Sequence, residues 1–173
     1  MISTPETISY GSHWYAVHTR SRHEKMVAGL LAEREIERFL PLVRTLSQWA
    51  DRRKWVEKPV FPGYLFVRVH EDETPTVRET GGVVRLLGTE PSRPSIVPDA
   101  EVENIRRLVA TRVSVDPYPY LKRGQLVCIT RGALRGVEGT LIRKSRRYFL
   151  VISVKLFGRS VVAEVSGEAV RGL

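Results

Sequence analysis

Pro59-Val60-Phe61-Pro62-Gly63-Tyr64-Leu65-Phe66-Val67-Arg68-Val69 reads as a Pro-Gly turn feeding one strongly apolar strand. Side chains alternate along a strand, so Leu65, Val67 and Val69 fall on one face while Tyr64 and Phe66 fall on the other. Both faces are apolar. One can take helices of the same domain. The other either meets further elements of its own domain, as a central strand would, or offers its rings to a partner.

Working outward toward the N-terminus, His13-Trp14-Tyr15-Ala16-Val17-His18-Thr19 alternates as a first strand. Ser21 and Glu24 stand at the spacing of a capping box, and Val27, Leu30 and Leu31 then recur on one helical face as far as about Arg38. Gly29 weakens that helix by roughly 1 kcal/mol relative to alanine. Arg20, Arg22 and Lys25 crowd the strand-to-helix turn, where the helix dipole disfavours cations. That crowding fits either a phosphate contact or a solvated turn. A second strand is expected over Phe39 to Leu46, then a basic hairpin region from Gln48 to Lys54 and a third strand over Trp55 to Val60.

Beyond the central strand the acidic run Glu71-Asp72-Glu73 precedes one or two helical turns within Thr74 to Thr80, and Gly81-Gly82 ends them. Val83 to Leu87 reads as a short strand, and Pro91, Pro94 and Pro98 hold the next segment extended. Asp99 caps a last helix whose stripe is Val102, Ile105 and Val109, with Leu108 beside it. Thr111 to Leu121, with Pro117 and Pro119, has no periodicity and reads as a spacer. Past it, glycines punctuate five short branched runs: Leu126 to Thr130, Val137 to Arg143, Tyr148 to Leu156, Ser160 to Val165 and Ala169 to Arg171. That spacing suits a small barrel. The expected organisation is a disordered tail over 1–12, an α+β domain over 13–110 in which helices pack on an antiparallel sheet, a linker over 111–121, and a small SH3-like β-barrel over 122–173.

Composition narrows the function. The chain has 173 residues, 42% apolar and 27% charged, with a formal net charge of +9. Residues 1–110 carry 16 lysines and arginines against 15 acids, whereas residues 111–173 carry 12 against 4. The basic excess is therefore C-terminal, and a unit that basic attracts polyanions such as nucleic acid or a ribosomal surface. Arg143, Lys144, Arg146 and Arg147 concentrate it at one hairpin tip. No apolar run approaches the ~18 residues of a membrane span, and the polar start lacks the pattern of a signal peptide. A cytoplasmic protein without membrane contact is expected. Cys128, being alone, forms no internal disulfide. No phosphate-binding loop or nucleophile motif is present, and His13, His18 and His23 are spaced five apart, which brings them together on neither a strand nor a helix. The reading is of a non-enzyme with no cofactor and no metal.

Two sets of motifs carry a family resemblance. Trp14-Tyr15-Ala16-Val17, Phe61-Pro62-Gly63-Tyr64 and the Val83 to Gly88 segment resemble the N-terminal domain of the NusG family of transcription elongation factors. Gly124-Gln125-Leu126-Val127-Cys128-Ile129, followed by Gly132-Ala133-Leu134-Arg135-Gly136-Val137-Glu138-Gly139, is similar to a KOW motif, and Leu156-Phe157-Gly158-Arg159-Ser160 matches a later turn of that domain. Tyr118-Pro119-Tyr120-Leu121 and Arg159-Ser160-Val161-Val162 look closest to specialised UpxY-type antiterminators of surface-polysaccharide operons.

The resemblance implies a monomer whose N-terminal domain binds the clamp helices of RNA polymerase and suppresses pausing. The matching positions are Tyr15, Phe61, Tyr64 and Phe66, with Thr74 and Thr76 at a second contact across the cleft. Glu73 and Pro75 depart from the pattern expected there. Arg20, Arg22 and Lys25 match the region that meets non-template DNA. In the KOW domain the partner-binding positions are Leu134, Arg135, Val137, Phe157 and Arg159. Val137 stands where the family has an aromatic ring, so weak or absent Rho binding is expected, and the charge points to RNA or a ribosomal small-subunit protein. A housekeeping NusG-like factor and a ribosome-associated KOW protein are the competing readings.

Overall fold

The computed structural model describes residues 11–49, 52–90, 93–111, 115–119, 124–144, 147–154 and 158–173. In chain order they form β1 (His13–Thr19), α1 (Glu24–Glu33), β2 (Glu37–Phe39), β3 (Leu42–Trp49), β4 (Arg52–Pro59), β5 (Tyr64–Val69), α2 (Thr74–Arg78), β6 (Val83–Leu86), β7 (Ile96–Val97) and α3 (Asp99–Ala110). The second half supplies β8 (Val115–Pro119), β9 (Gln125–Ile129), β10 (Glu138–Lys144), β11 (Arg147–Val154), β12 (Arg159–Val165) and β13 (Val170–Gly172).

The first sheet has the order β2-β5-β1-β6, with β7 also on β1, and each pair is antiparallel. Having a neighbour on both sides, β5 is interior, as its two apolar faces require. Leu65, Val67 and Val69 join Tyr15 and Val17 against Val27 and Leu31 of α1 and Val77 of α2. On the opposite face Phe66 joins Trp14 and Ala16 against Val102, Ile105 and Leu108 of α3. Val102, Ile105 and Leu108 are the buried residues of α3, and Val109 is half-buried against the same cluster.

Helix starts differ from expectation. The capping box does not form: His23, not Ser21, precedes α1, and Arg22 sits at φ 62°. Glu24 is instead drawn inward, where its Oε1 accepts the Gly63 N–H at 2.7 Å. Asp99 is the first residue of α3 and Pro98 precedes it, so Asp99 caps nothing. The acidic run makes a single 3-10 turn over Glu71–Glu73, and the Glu73 carboxylate accepts the His70 N–H at 2.8 Å.

The expected strand at Phe39 to Leu46 is two strands broken around Leu40 and Pro41, and most of the basic segment before Trp55 is itself strand. β3 and β4 pair only with each other. The C-terminal sheet runs β13-β9-β10-β11-β12-β8, all antiparallel. Five of its strands are those expected. The sixth, β8, comes from the segment read as linker: it is an edge strand, where Pro117 and Pro119 forfeit no ladder partner on their outer side. Most of the tail expected at 1–12, and parts of the expected linker, lie outside the described residues.

Glu24 ties the Pro62-Gly63 turn to the start of α1 through a charge-assisted bond made at a buried carboxylate. Glu24→Ala should therefore lower the unfolding free energy by about 1–3 kcal/mol in chemical denaturation. Glu24→Gln, which keeps an acceptor oxygen, should lose less.

Candidate functional site

The Phe61–Tyr64 turn is closed by the Tyr64 N–H donating to the Phe61 carbonyl at 3.0 Å. Gly63 takes φ +84°, a conformation that disfavours any side chain, and its carbonyl accepts the Thr19 N–H at 2.9 Å. The turn is thereby fastened to the end of β1 as well as to α1. It delivers Phe61 and Tyr64 to the side of the sheet that already carries Phe66.

That side is a lattice of rings and guanidiniums. Tyr64 stacks on its cross-strand partner His18, with centroids 5.1 Å apart, and Phe66 stacks on Phe39 at 6.1 Å. Arg106 of α3 lies over both Phe39, at 5.0 Å, and Trp14, at 5.7 Å. Arg159, from the C-terminal domain, lies 5.3 Å over the Tyr64 ring.

The two domains are joined here. Phe61, Phe66 and α3 belong to one continuous buried cluster with Val127, Leu134, Val137, Leu150 and Val161 of the C-terminal sheet. Two hydrogen bonds fix the contact: Arg107 Nη1 donates to the Gly136 carbonyl at 3.1 Å, and the Glu138 N–H donates to Asn104 Oδ1 at 3.3 Å. Glu103 orients the helix side, holding Arg107 at 3.1 Å and Arg106 at 3.8 Å. A cleft of 790 Å³ opens beside the junction, lined by His18, Arg22, Lys25, Val43, Lys58 and Val161 among others.

The expectation that these rings stand open to a partner is corrected by this arrangement: Phe61 is 1% exposed and Phe66 0%, and only Tyr64 keeps part of its surface in solvent. Tyr15 is not brought together with them. It lies on the α1 side of the sheet, 2% exposed, where burial first and the Glu71 carboxylate second push its phenol above the ordinary range. Thr74 is buried and donates its hydroxyl to the Glu71 carbonyl at 2.8 Å, whereas Thr76 is exposed.

Arg20, Arg22 and Lys25 are all exposed, and the last two line the cleft together with Lys58, which the sequence reading passed over. At the other basic tip, Arg147 pairs with Glu164 at 3.2 Å; the Arg143 and Lys144 side chains and all of Arg146 lie outside the described residues. Leu134 and Val137 are buried beside the α3 contact, Arg135 is exposed, and Phe157 lies outside the described residues. Asn104 and Arg107 carry no motif that could have flagged them, and Gly136, though inside the KOW-like stretch, bears no mark of its carbonyl's role. The only property of the first two in sequence is polarity on the solvent side of a helix.

Among the described residues there is no cluster of three or more potential metal ligands and no helix long and apolar enough to cross a membrane.

A family model described as NusG, transcription termination factor, matches residues 12–106, more than half of the chain. The chain is similar to the transcription termination/antitermination protein NusG of Vibrio parahaemolyticus, 28% identical over 168 residues, covering 88% of this chain and 91% of that one. Against the Deinococcus radiodurans NusG the identity is 29% over 186 residues, with 88% and 94% covered. In fold it is similar to the solved structure describing domain interaction in Thermotoga maritima NusG, with a TM-score of 0.50, 23% identity, and 94% and 97% of the two chains covered. An interior strand apolar on both faces, the Phe-Pro-Gly-Tyr turn fastened to β1, and a family match from residue 12 into α3 converge: the chain belongs to the NusG family of transcription termination/antitermination factors, which are not enzymes.

Proposed function

We propose that this protein binds the clamp helices of RNA polymerase through the sheet face bearing Phe61, Tyr64 and Phe66, and that it suppresses pausing as an elongation and antitermination factor in the cytoplasm. The observation that carries the reading is the convergence of those three rings on one side of β5 while the aliphatic residues of the same strand fill the other. Val102, Ile105 and Leu108 of α3 pack on that side, and residues of the C-terminal sheet add to the same cluster. The cluster continues into the C-terminal domain, so a surface that belongs to a partner in the open molecule is occupied here by the chain itself.

Polymerase and the C-terminal domain then compete for one face, and binding requires the two domains to part. Among the described residues the contact to be broken comprises two hydrogen bonds, a guanidinium over a ring and the shared apolar cluster. Net worth of about 0.5–1.5 kcal/mol per hydrogen bond is within what a partner interface can replace. Arg20, Arg22 and Lys25 are exposed beside the same turn, in keeping with a non-template DNA strand passing there. Tyr15 and Thr74, both buried, are unsuited to direct contact in this arrangement; Thr76 is open.

The finer reading is an operon-specific paralogue of the UpxY type whose KOW domain meets RNA or a ribosomal small-subunit protein. Val137 supports it: an aliphatic residue, 0% exposed, supplies no ring for a partner's pocket.

Tyr64→Ala removes a half-exposed ring without emptying the core, so it should cut capture of RNA polymerase at least tenfold in a pull-down while the protein still melts as one folded species. Undiminished capture would remove the clamp reading. Asn104→Ala combined with Arg107→Ala should raise capture several-fold by loosening the closed form; no change would mean that the domain contact does not compete. In the same format the protein should retain less Rho than a housekeeping NusG does, and equal retention would contradict the role assigned to Val137.

A further inference from the structure

The β3–β4 hairpin is unused by the function above. It forms a two-stranded sheet on its own, and residues opposite one another in an antiparallel pair point to the same side. Leu46 pairs with Trp55 and Arg44 with Glu57, and Arg53 lies two residues from Trp55, so all five share one face. The other face carries Val43, Thr45 and Val56, half-buried, with Val43 and Thr45 turned to the cleft. The five on the outward face are all exposed, Trp55 by 59% and Leu46 by 47%. Arg44 places its guanidinium 5.8 Å over the Trp55 ring.

A tryptophan left in water on a narrow ribbon has no role in holding the fold, since neither buried cluster includes it. Its surroundings identify what it suits. Its own face carries Arg44 and Arg53 against Glu57, and Lys54 and Lys58 lie on the opposite side of the hairpin. Arginines flank the ring on both strands, Arg44 on β3 and Arg53 on β4. A flat indole with guanidiniums beside it matches a nucleobase and its phosphates, and only an unpaired base has a free face to stack.

We propose that the outward face of this hairpin binds single-stranded nucleic acid, one base stacking on Trp55 while Arg44 and Arg53 take the neighbouring phosphates. The site stands apart from the ring-bearing face of β5 and does not rest on polymerase binding. Full-length protein would be titrated by fluorescence anisotropy against labelled strands of about 12 nucleotides, a length within the usual range of single-strand sites. Single-stranded DNA, single-stranded RNA and a blunt duplex of the same sequence form the three arms, and the first two tell which kind of strand is preferred. Trp55→Ala should weaken single-strand binding about tenfold, and Trp55→Phe, which keeps a stacking face, should restore most of it. Arg44→Ala with Arg53→Ala should weaken binding and flatten its dependence on salt. Strands carrying 5-iodouracil should photocrosslink to the peptide that contains Trp55. Because Trp55 is exposed, its variants should melt at the wild-type temperature. Unchanged affinity in Trp55→Ala together with no crosslink at that peptide overturns the proposal, as does a duplex bound as tightly as the single strands; the face would then serve a protein partner or solvent alone.

Discussion

A strand that is apolar on both faces must be covered twice, and the whole molecule is arranged around meeting that demand for β5. Leu65, Val67 and Val69 are covered within the N-terminal domain by α1 and α2. Phe66, and the rings the turn sends to the same side, are covered by α3 and by a cluster that runs on into the C-terminal sheet. Burying an aromatic ring is worth roughly 1.5–3 kcal/mol, so the second face supplies a strong but transferable attraction. Whatever covers it best at a given moment is favoured, and in this structure the chain's own second domain is part of that cover.

Such a design couples two surfaces. The Gly132–Val137 loop, where the resemblance puts the KOW partner site, is also the loop whose Gly136 carbonyl is held by Arg107. Closure therefore covers the ring-bearing face and holds the Gly136 end of the partner loop, while Gly132, Ala133 and Arg135 stay exposed. The polar part of the contact consists of groups that water satisfies when the domains part, so its net contribution is small beside that of the shared apolar cluster. In the function proposed, a partner that competes on either surface shifts the same equilibrium, with a reciprocal effect on the other.

Charge is distributed to match. The excess of cations lies in the C-terminal domain, yet Arg159 spends part of its charge on the Tyr64 ring, and Arg147 is paired with Glu164. In the N-terminal domain, nearly balanced overall, cations gather at the strand-to-helix turn and on the hairpin, while acids gather at Glu71–Glu73 and along α3. A net charge near zero in that domain conceals two basic surfaces. A polyanion senses those surfaces, not the sum, because screening limits each charge to about 8–10 Å in physiological salt.

Much of this was legible in residue order. Alternation in β1 and β5 requires no tertiary information, nor does the glycine demanded by φ +84° at position 63, and five of the six C-terminal strands follow from branched runs between glycines. Local rules misled where a distant group outbid a near one. Glu24 has the spacing of a capping residue but finds the Gly63 N–H, and the proline-rich spacer finds an open edge of β12. Sequence by itself determined the elements, the two-faced strand and the basic second half, because periodicity and composition act over a few residues. Tertiary structure alone decided that the rings of Phe61 and Phe66 are buried, that Tyr15 lies on the opposite side of the sheet, and that Asn104 and Arg107 fasten the domains. Those outcomes depend on which surfaces meet in space, and pairing between residues tens of positions apart leaves no local period to read.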